Sequence, residues 1–454
     1  MTRTIKVRKA RKASAWAAGV VAASLVGAGA LPAASHAARR PNARPKAAHQ
    51  TVSVWSWFVQ SNMETAIKAF EKTHPNVTVN YTYYTLSPQF LTALKTAAAS
   101  NTLPDVIGLS PGSLTQEYRS YLSPINGLAK KTWGPNWTKR VLPIDLAQMK
   151  MGNPRGDNNY YILPQESQVL SVWYNRQIFK KLHLTVPKTL PQLVKVSKAL
   201  SAGGYMPMYQ GAGAAWQNEN VFILLADQQQ ANLFEKVQLG KASWTSPGMV
   251  RAMTTWGELF NDGVFQSGAL GGEPYPTGAD LFAAGRVGMI TFGSWWLQEP
   301  QLPPPVPPLV KGMKGFGWFP FPAGPGAKSP GPTVGGIDVG VGLTKYGAKD
   351  PAAWEFMASL VDGAGAQAVL NKDLNDLPAF NNLSAPRGLG SSILLSYKQF
   401  MKVLPSAQNQ RFYSPVVETA VDNALAGVAA GKLTPKAALA SIAATQRNVG
   451  PGTN

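Results

Sequence analysis

The chain of 454 residues contains no cysteine. That excludes disulfides, thiolate metal sites, a cysteine nucleophile and a lipid-modified cysteine behind a signal peptide. Histidine is nearly as scarce: past residue 50 only His74 and His183 remain, each alone in its stretch. No metal site or cofactor is therefore expected. Acidic residues number 23 against 43 lysines and arginines. Beyond the leader the basic residues form no stripe interleaved with aromatics, which argues against a nucleic-acid partner. An exported chain without disulfides must be held by its cores, and at 45% apolar content this one has the material.

The formal charge of +20 is concentrated at the start, because residues 1–50 hold ten Lys/Arg and no acid, leaving +10 for the rest. "MTRTIKVRKARK" is basic, "ASAWAAGVVAASLVGAGAL" is small and apolar, and Ser35 and Ala37 precede a cleavage point. This is the grammar of a secretory signal peptide over 1–37, with an uncleaved anchor as the alternative. Residues 38–50, "ARRPNARPKAAHQ", follow as a basic linker. They are read as plain solvated chain or as an electrostatic attachment to an anionic envelope surface.

From Thr51 the pattern alternates. "TVSVWSW" reads as a strand, and "NMETAIKAFEKTHP" as a helix with Met63, Ile67 and Phe70 inward that stops at Pro75. "VTVNYTYY", "SPQFLTALKTAAAS" (Phe90, Leu91 and Leu94 inward) and "PDVIGL" continue strand, helix, strand, predicting a parallel α/β layer. A second α/β body begins near "YILPQESQVLSVWYNRQIF" at 161–179. It runs through several helical stretches to "DLFAAGRVGMITFGSWW". Residues 301–333 are Pro- and Gly-rich and irregular, "VGGIDVGVG" reads as one glycine-rich strand, and "KDPAAWEFMASLVDGAGAQAVL" as one helix. Residues 411–448 are helical again.

The order of these segments resembles the family 1 extracellular solute-binding proteins of ABC sugar importers, the maltose-binding-protein-like family. The resemblance is carried by "VSVWSW…AIKAFEKTHPNVTVNY", "TLPDVIGL", "SVWYNRQIF…VPKTLPQL", "LFAAGRVGMITFGSWW", "FPFPAGPGAK", "TVGGIDVGVG" and "KDPAAWEFMASLV". They lie in register over nearly all of residues 51–430. The resemblance implies a class II periplasmic-binding-protein-like α/β fold of two lobes, with a hinge and an interlobe ligand cleft. It implies lobe I over 51–166 plus 321–375, and lobe II over 167–320 plus 376–454. By the same resemblance Trp295 of "GSWW" stacks on a sugar ring, whose apolar C–H face covers an aromatic ring. Trp296 is then directed to the core.

Other positions offer themselves as ligand partners. Trp57 and Gln60 lead the first strand-to-helix turn and Ser110 follows the third strand, where α/β clefts take ligands. Trp216, with Gln217 and Glu219, follows a glycine-rich stretch. Glu166 and Gln168 precede a crossover. Gly336 permits close backbone approach, and Asp338 accepts hydroxyl hydrogen bonds. Arg411, Phe412 and Tyr413 precede the last helical region, where the family places another cleft aromatic. The chain departs from the maltose type: an expected Asp–Lys pair falls near Val59 and Gln60, cleft tryptophans fall at Leu109 and near Ser414, and a carboxylate falls near Gln168. The maltodextrin pocket therefore does not transfer whole.

"GLSPG" (108–112) is a literal G-x-S-x-G, but Pro111 lacks the N–H an oxyanion hole requires, and only His183 follows it. A glycosidase pair among Glu166, Glu219, Glu273 and Asp338 stays open. The expectation is a non-catalytic, monomeric, exported protein, periplasmic or extracellular, that takes a neutral carbohydrate to ABC permease subunits. The alternatives are a secreted glycan-active hydrolase or glycan binder, or the same fold for another polar solute such as a glycerophosphodiester.

Overall fold

A computed structural model describes residues 49–84, 88–297, 315–327, 333–372 and 376–453. The expected signal peptide, most of the basic linker and much of the Pro-rich stretch lie outside them. Among the described residues three sheets form, and their topology explains how one chain makes two lobes.

The first sheet takes β1 (Gln50–Ser56), β2 (Val77–Tyr83), β3 (Val106–Leu109), β4 (Ile162–Pro164) and β11 (Gly340–Leu343), in the order β2-β1-β3-β11-β4. The second takes β6 (Val172–Asn175), β7 (Met206–Tyr209), β8 (Val287–Ile290) and β9 (Phe316–Phe319), in the order β7-β8-β6-β9. Between them lies a short sheet of β5 (Glu166–Val169), β10 (Val334–Ile337), β12 (Leu377–Pro378) and β13 (Gln408–Asn409), in the order β12-β5-β10-β13. The chain passes from the first sheet to the second through β5 and returns through β10, so this sheet is made of crossovers.

The parallel layer expected of the first three strands is present, since β1 pairs parallel with both β2 and β3. The sheet as a whole is mixed, because β11 enters antiparallel between β3 and β4. One correction follows. "VGGIDVGVG" is two strands, since Val334–Ile337 pairs in the crossover sheet and Gly340–Leu343 in the first, with Asp338 and Val339 at the step between.

Each sheet buries its own core. Val52, Met63, Phe70, Phe90, Ile107, Leu163, Val341 and Phe356 belong to the first, and Trp173, Phe222, Trp256, Met289, Trp296, Phe400 and Leu425 to the second. The second core also takes Phe321 and Val334, while Ile337 belongs to the first. The two core clusters thus meet along β10.

Local chemistry fixes the helix ends. The Asn175 side chain accepts the N–H groups of Gln177 and Ile178 at the start of helix Arg176–Lys181, and Asp350 accepts that of Ala352 at helix Pro351–Val361. The single helix expected after Asp350 is two, broken at Gly363, whose φ of 102° suits glycine. Leu91, expected inward, is exposed, because helix Pro88–Ala99 turns Phe90, Leu94, Ala97 and Ala98 to the core instead.

Candidate functional site

The crossover sheet is where the first lobe locks onto the second. Gln148, 2% exposed, reaches from the first lobe's helix Pro143–Gln148 and makes three hydrogen bonds. Its Nε2 donates to Gly335 O (3.0 Å) and Asn409 Oδ1 (2.9 Å), and its Oε1 accepts from Ile337 N–H (2.7 Å). A Cβ on Gly336 would lie 2.3 Å from Gln148 Oε1, and φ there is 110°. The bareness of Gly336 admits Gln148 here.

Carboxylates gather on this sheet. Glu166 opens β5, its carbonyl accepting Asp338 N–H (2.8 Å) and its carboxylate taking Asp376 N–H (3.4 Å). Asp145 sits behind β5 and accepts from Ser167 Oγ at 2.5 Å. Desolvation lifts the Asp145 carboxyl to about 7 and Asp338 to about 6, against the pull of Arg411 in both. Desolvation likewise raises Asp376 well above the usual range, with Asp338 and Glu166 adding repulsion.

Arg411, half-buried just past β13, faces this group. Its Nε donates to Ile337 O (3.2 Å), and its guanidinium also reaches Asp338 O (3.4 Å). Burial draws its pKa down, while Asp338, Glu219, Glu418 and Asp145 oppose that shift. Glu219 and Asp422 share a hydrogen bond, and burial then mutual repulsion raises Glu219 well above its usual value. Burial takes Glu418 to about 7, against a hydrogen bond from Ser113. Glu418 and Asp422 lie one turn apart on helix Pro415–Ala429. That spacing of two acids on a largely apolar helix was the available signal for residues the sequence reading missed.

The aromatic side of the site belongs to the second lobe. "GSWW" forms a short 3-10 turn, Ser294–Leu297, anchored because Ser294 Oγ accepts Val169 N–H of β5 at 2.9 Å. Trp296 is fully buried against Phe282, Phe292 and Phe316. Trp295, at 8% exposure, donates from Nε1 to Tyr275 Oη (3.1 Å) and meets the Trp216 ring edge-on at 6.0 Å. Tyr275 stacks on Phe292 at 5.1 Å. A Cβ on Gly293 would fall 2.2 Å from Trp295 Cζ3, so the glycine is required for the indole to fold back. Glu219 lies one helical turn beyond Trp216, and so joins this aromatic shelf to Arg411 and the carboxylates.

The remaining candidates divide. Gln168 is buried in β5 opposite Gly336. Trp57 is half-buried, edge-on to Phe90, while Gln60 is exposed and donates along its helix to Glu64. Ser110 is half-buried at the end of β3, its carbonyl accepting from Thr115. Gln217 is fully buried, donating to Thr291 and accepting from Gly211 N–H. Tyr413, 2% exposed, donates its hydroxyl to Glu235 (2.8 Å) and lies against Gly452, packed between chain segments. Ser110 is followed by Pro111 and His183 is exposed, and no group of three or more His, Asp or Glu that could hold a metal occurs among the described residues. No described helix is long and apolar enough to cross a membrane.

Two α/β lobes joined through a sheet of crossovers have the fold of the class II periplasmic binding proteins. The chain belongs to the bacterial extracellular solute-binding protein family, whose model matches residues 59–366. It is 24% identical over 290 residues to a multiple sugar-binding protein of Streptococcus mutans, covering 63% of this chain and 63% of that relative. The fold is shared with the GacH receptor of Streptomyces glaucescens, solved unliganded and with acarbose (TM-score 0.72, 20% identity, 88% of this chain and 98% of that one). It is shared equally with maltose-bound MalE3 of T. maritima (TM-score 0.72, 16% identity, 88% and 100%).

Proposed function

We propose that the protein captures a neutral carbohydrate, an oligosaccharide, outside the cytoplasmic membrane and presents it to the permease subunits of an ABC importer. The observation that carries this reading is the shelf of Trp216, Trp295 and Tyr275 joined through Glu219 to Arg411 and its carboxylates. Pyranose faces suit the rings. Burial raises the Glu219 and Asp376 carboxyls well above their usual range, and a protonated carboxyl both donates to and accepts from hydroxyls. Trp295, Trp216, Glu219, Asp338 and Arg411 are the proposed ligand partners, with Trp57, Ser110 and Gln168 as further candidates. The reading includes export by the leader over 1–37, a monomeric state and no catalysis.

Calorimetric titration with mono-, di- and oligosaccharides, including maltose and chito-oligosaccharides, tests it. One sugar class binds without turnover, and Trp295→Ala weakens that binding by roughly 10- to 100-fold. Silence across the panel, or turnover of the bound sugar, overturns it. Binding to anionic liposomes with and without residues 38–50 tests the leader as a tether; equal binding rejects it.

A further inference from the structure

Helix Pro435–Val449 packs on the second lobe through Leu439 and Ile442, and ends at Gly450 with φ of 79°. The residues that follow cross to the other lobe. Gly452 N–H donates to Gln238 O (2.9 Å) on the second lobe. One residue later, Thr453 O accepts Gly152 N–H (2.9 Å) and Thr453 Oγ1 donates to Asn153 O (2.5 Å), both on the first-lobe loop after Met149. That loop is itself braced, since Gly152 O accepts from Arg119 (2.7 Å) and Gln116 (3.2 Å). The seat is close: a Cβ on Gly452 would fall 2.5 Å from Tyr413 Cγ.

Gln238, 1% exposed, connects this seat to the candidate site. Its backbone carbonyl holds Gly452, its Oε1 accepts Tyr413 N–H (2.9 Å), and its Nε2 donates to Arg411 O (3.2 Å). The same buried amide thus fixes the segment that carries Arg411 and the segment that reaches the first lobe. We propose that residues 450–453 are an interlobe strap, docked on Gln238 and Tyr413 in one lobe and on Gly152 and Asn153 in the other. Through Gln238, a positioning residue, the strap makes the angle between the lobes and the setting of Arg411 move together. The inference rests on the two-lobed fold and not on the identity of the ligand, so its test uses none.

Because the chain lacks cysteine, Lys68→Cys and Lys198→Cys place one spin label on an exposed helical position of each lobe. Three strap variants are compared with the full chain: truncation after Val449, Gly452→Leu, and Thr453→Val, the mildest, which removes one donor. The full chain gives a single narrow interlobe distance distribution, and Gly452→Leu and the truncation broaden it toward longer distances. In Thr453→Val the Gly152 amide exchanges about fivefold faster, the equivalent of one ordinary hydrogen bond. The Arg411 Nε–H resonance shifts in all three, while the thermal transition of the second lobe stays in place. Unchanged distances in Gly452→Leu, or Gly152 exchange and an Arg411 resonance unchanged in Thr453→Val, overturn the proposal.

Discussion

Asp227 sits in helix Ala215–Gln229, 1% exposed, with Oδ1 accepting Phe234 N–H at 2.8 Å and Oδ2 without a partner. Burial lifts its carboxyl to about 8, with that backbone hydrogen bond acting against the rise. In the unfolded chain the same group titrates near an ordinary aspartate value of about 3.9. The folded state therefore keeps a proton that the unfolded state has released. Its contribution is fully present below about pH 4 and is lost progressively as pH rises to about 8. Each unit inside that window is worth about 1.4 kcal/mol, so raising pH from about 5 to about 7 costs roughly 3 kcal/mol through this group. Asp227→Asn is neutral throughout and keeps the acceptor for Phe234. Thermal unfolding followed by tryptophan fluorescence, at pH steps across that range, measures the difference. The wild-type transition falls with rising pH, and the Asn variant falls less steeply, so that the two diverge toward neutral pH. Parallel curves for the two proteins would refute the reasoning, because the proton would then not reside on Asp227. Asp145, fully buried and lifted to about 7 by the same cause, predicts a like divergence for Asp145→Asn.

Other outcomes follow from single contacts. Gly293→Ala places a methyl 2.2 Å from Trp295 Cζ3, so it costs about 1–3 kcal/mol by denaturant titration and shifts Trp295 out of its hydrogen bond to Tyr275. Trp296→Ala empties part of the second core and lowers stability by about 3–5 kcal/mol, a cost that comes with any ligand absent. Gln148→Ala leaves Gly335, Ile337 and Asn409 without their shared partner; it destabilises by about 1–3 kcal/mol. Small-angle scattering of that variant shows a wider spread of lobe angles than the wild type. A radius of gyration and a melting curve both unchanged would show that Gln148 bears no strain at the crossover.

Much of the fold could be read from the residues because its elements are strongly patterned. Val52 and Val54 alternate along β1, and Phe90 and Leu94 sit a turn apart on their helix. What pattern alone could not supply was pairing between distant segments. Nothing in "VGGIDVGVG" says that its two halves belong to different sheets, since glycine and valine serve both equally. Trp296 is in the core as expected, but the 3-10 turn that puts it there, with a glycine beneath the Trp295 ring, has no mark in the pattern. The carboxylates were least legible. Asp376, Glu418 and Asp422 read as ordinary scattered acids, and only the fold brings Asp376 to Asp338 and Glu166, Asp422 to Glu219, and Glu418 to Arg411. The setting of Tyr413 was hidden for a similar reason. It stands two residues from Arg411 in sequence, but a neighbour it meets, Gly452, comes from beyond the last helix.

The position of β11 between β3 and β4 has a consequence for how the molecule is made. Strands from the first part of the chain flank a gap that only residues 340–343 can fill. The second lobe's sheet, by contrast, is complete once β9 at Phe316–Phe319 exists. Its core, however, takes Phe400, Leu425, Leu439 and Ile442 from chain made later still. The first lobe's core has its last member at Phe380. Each lobe therefore needs segments from both sides of the other, and these long loop closures make both slow to form on their own.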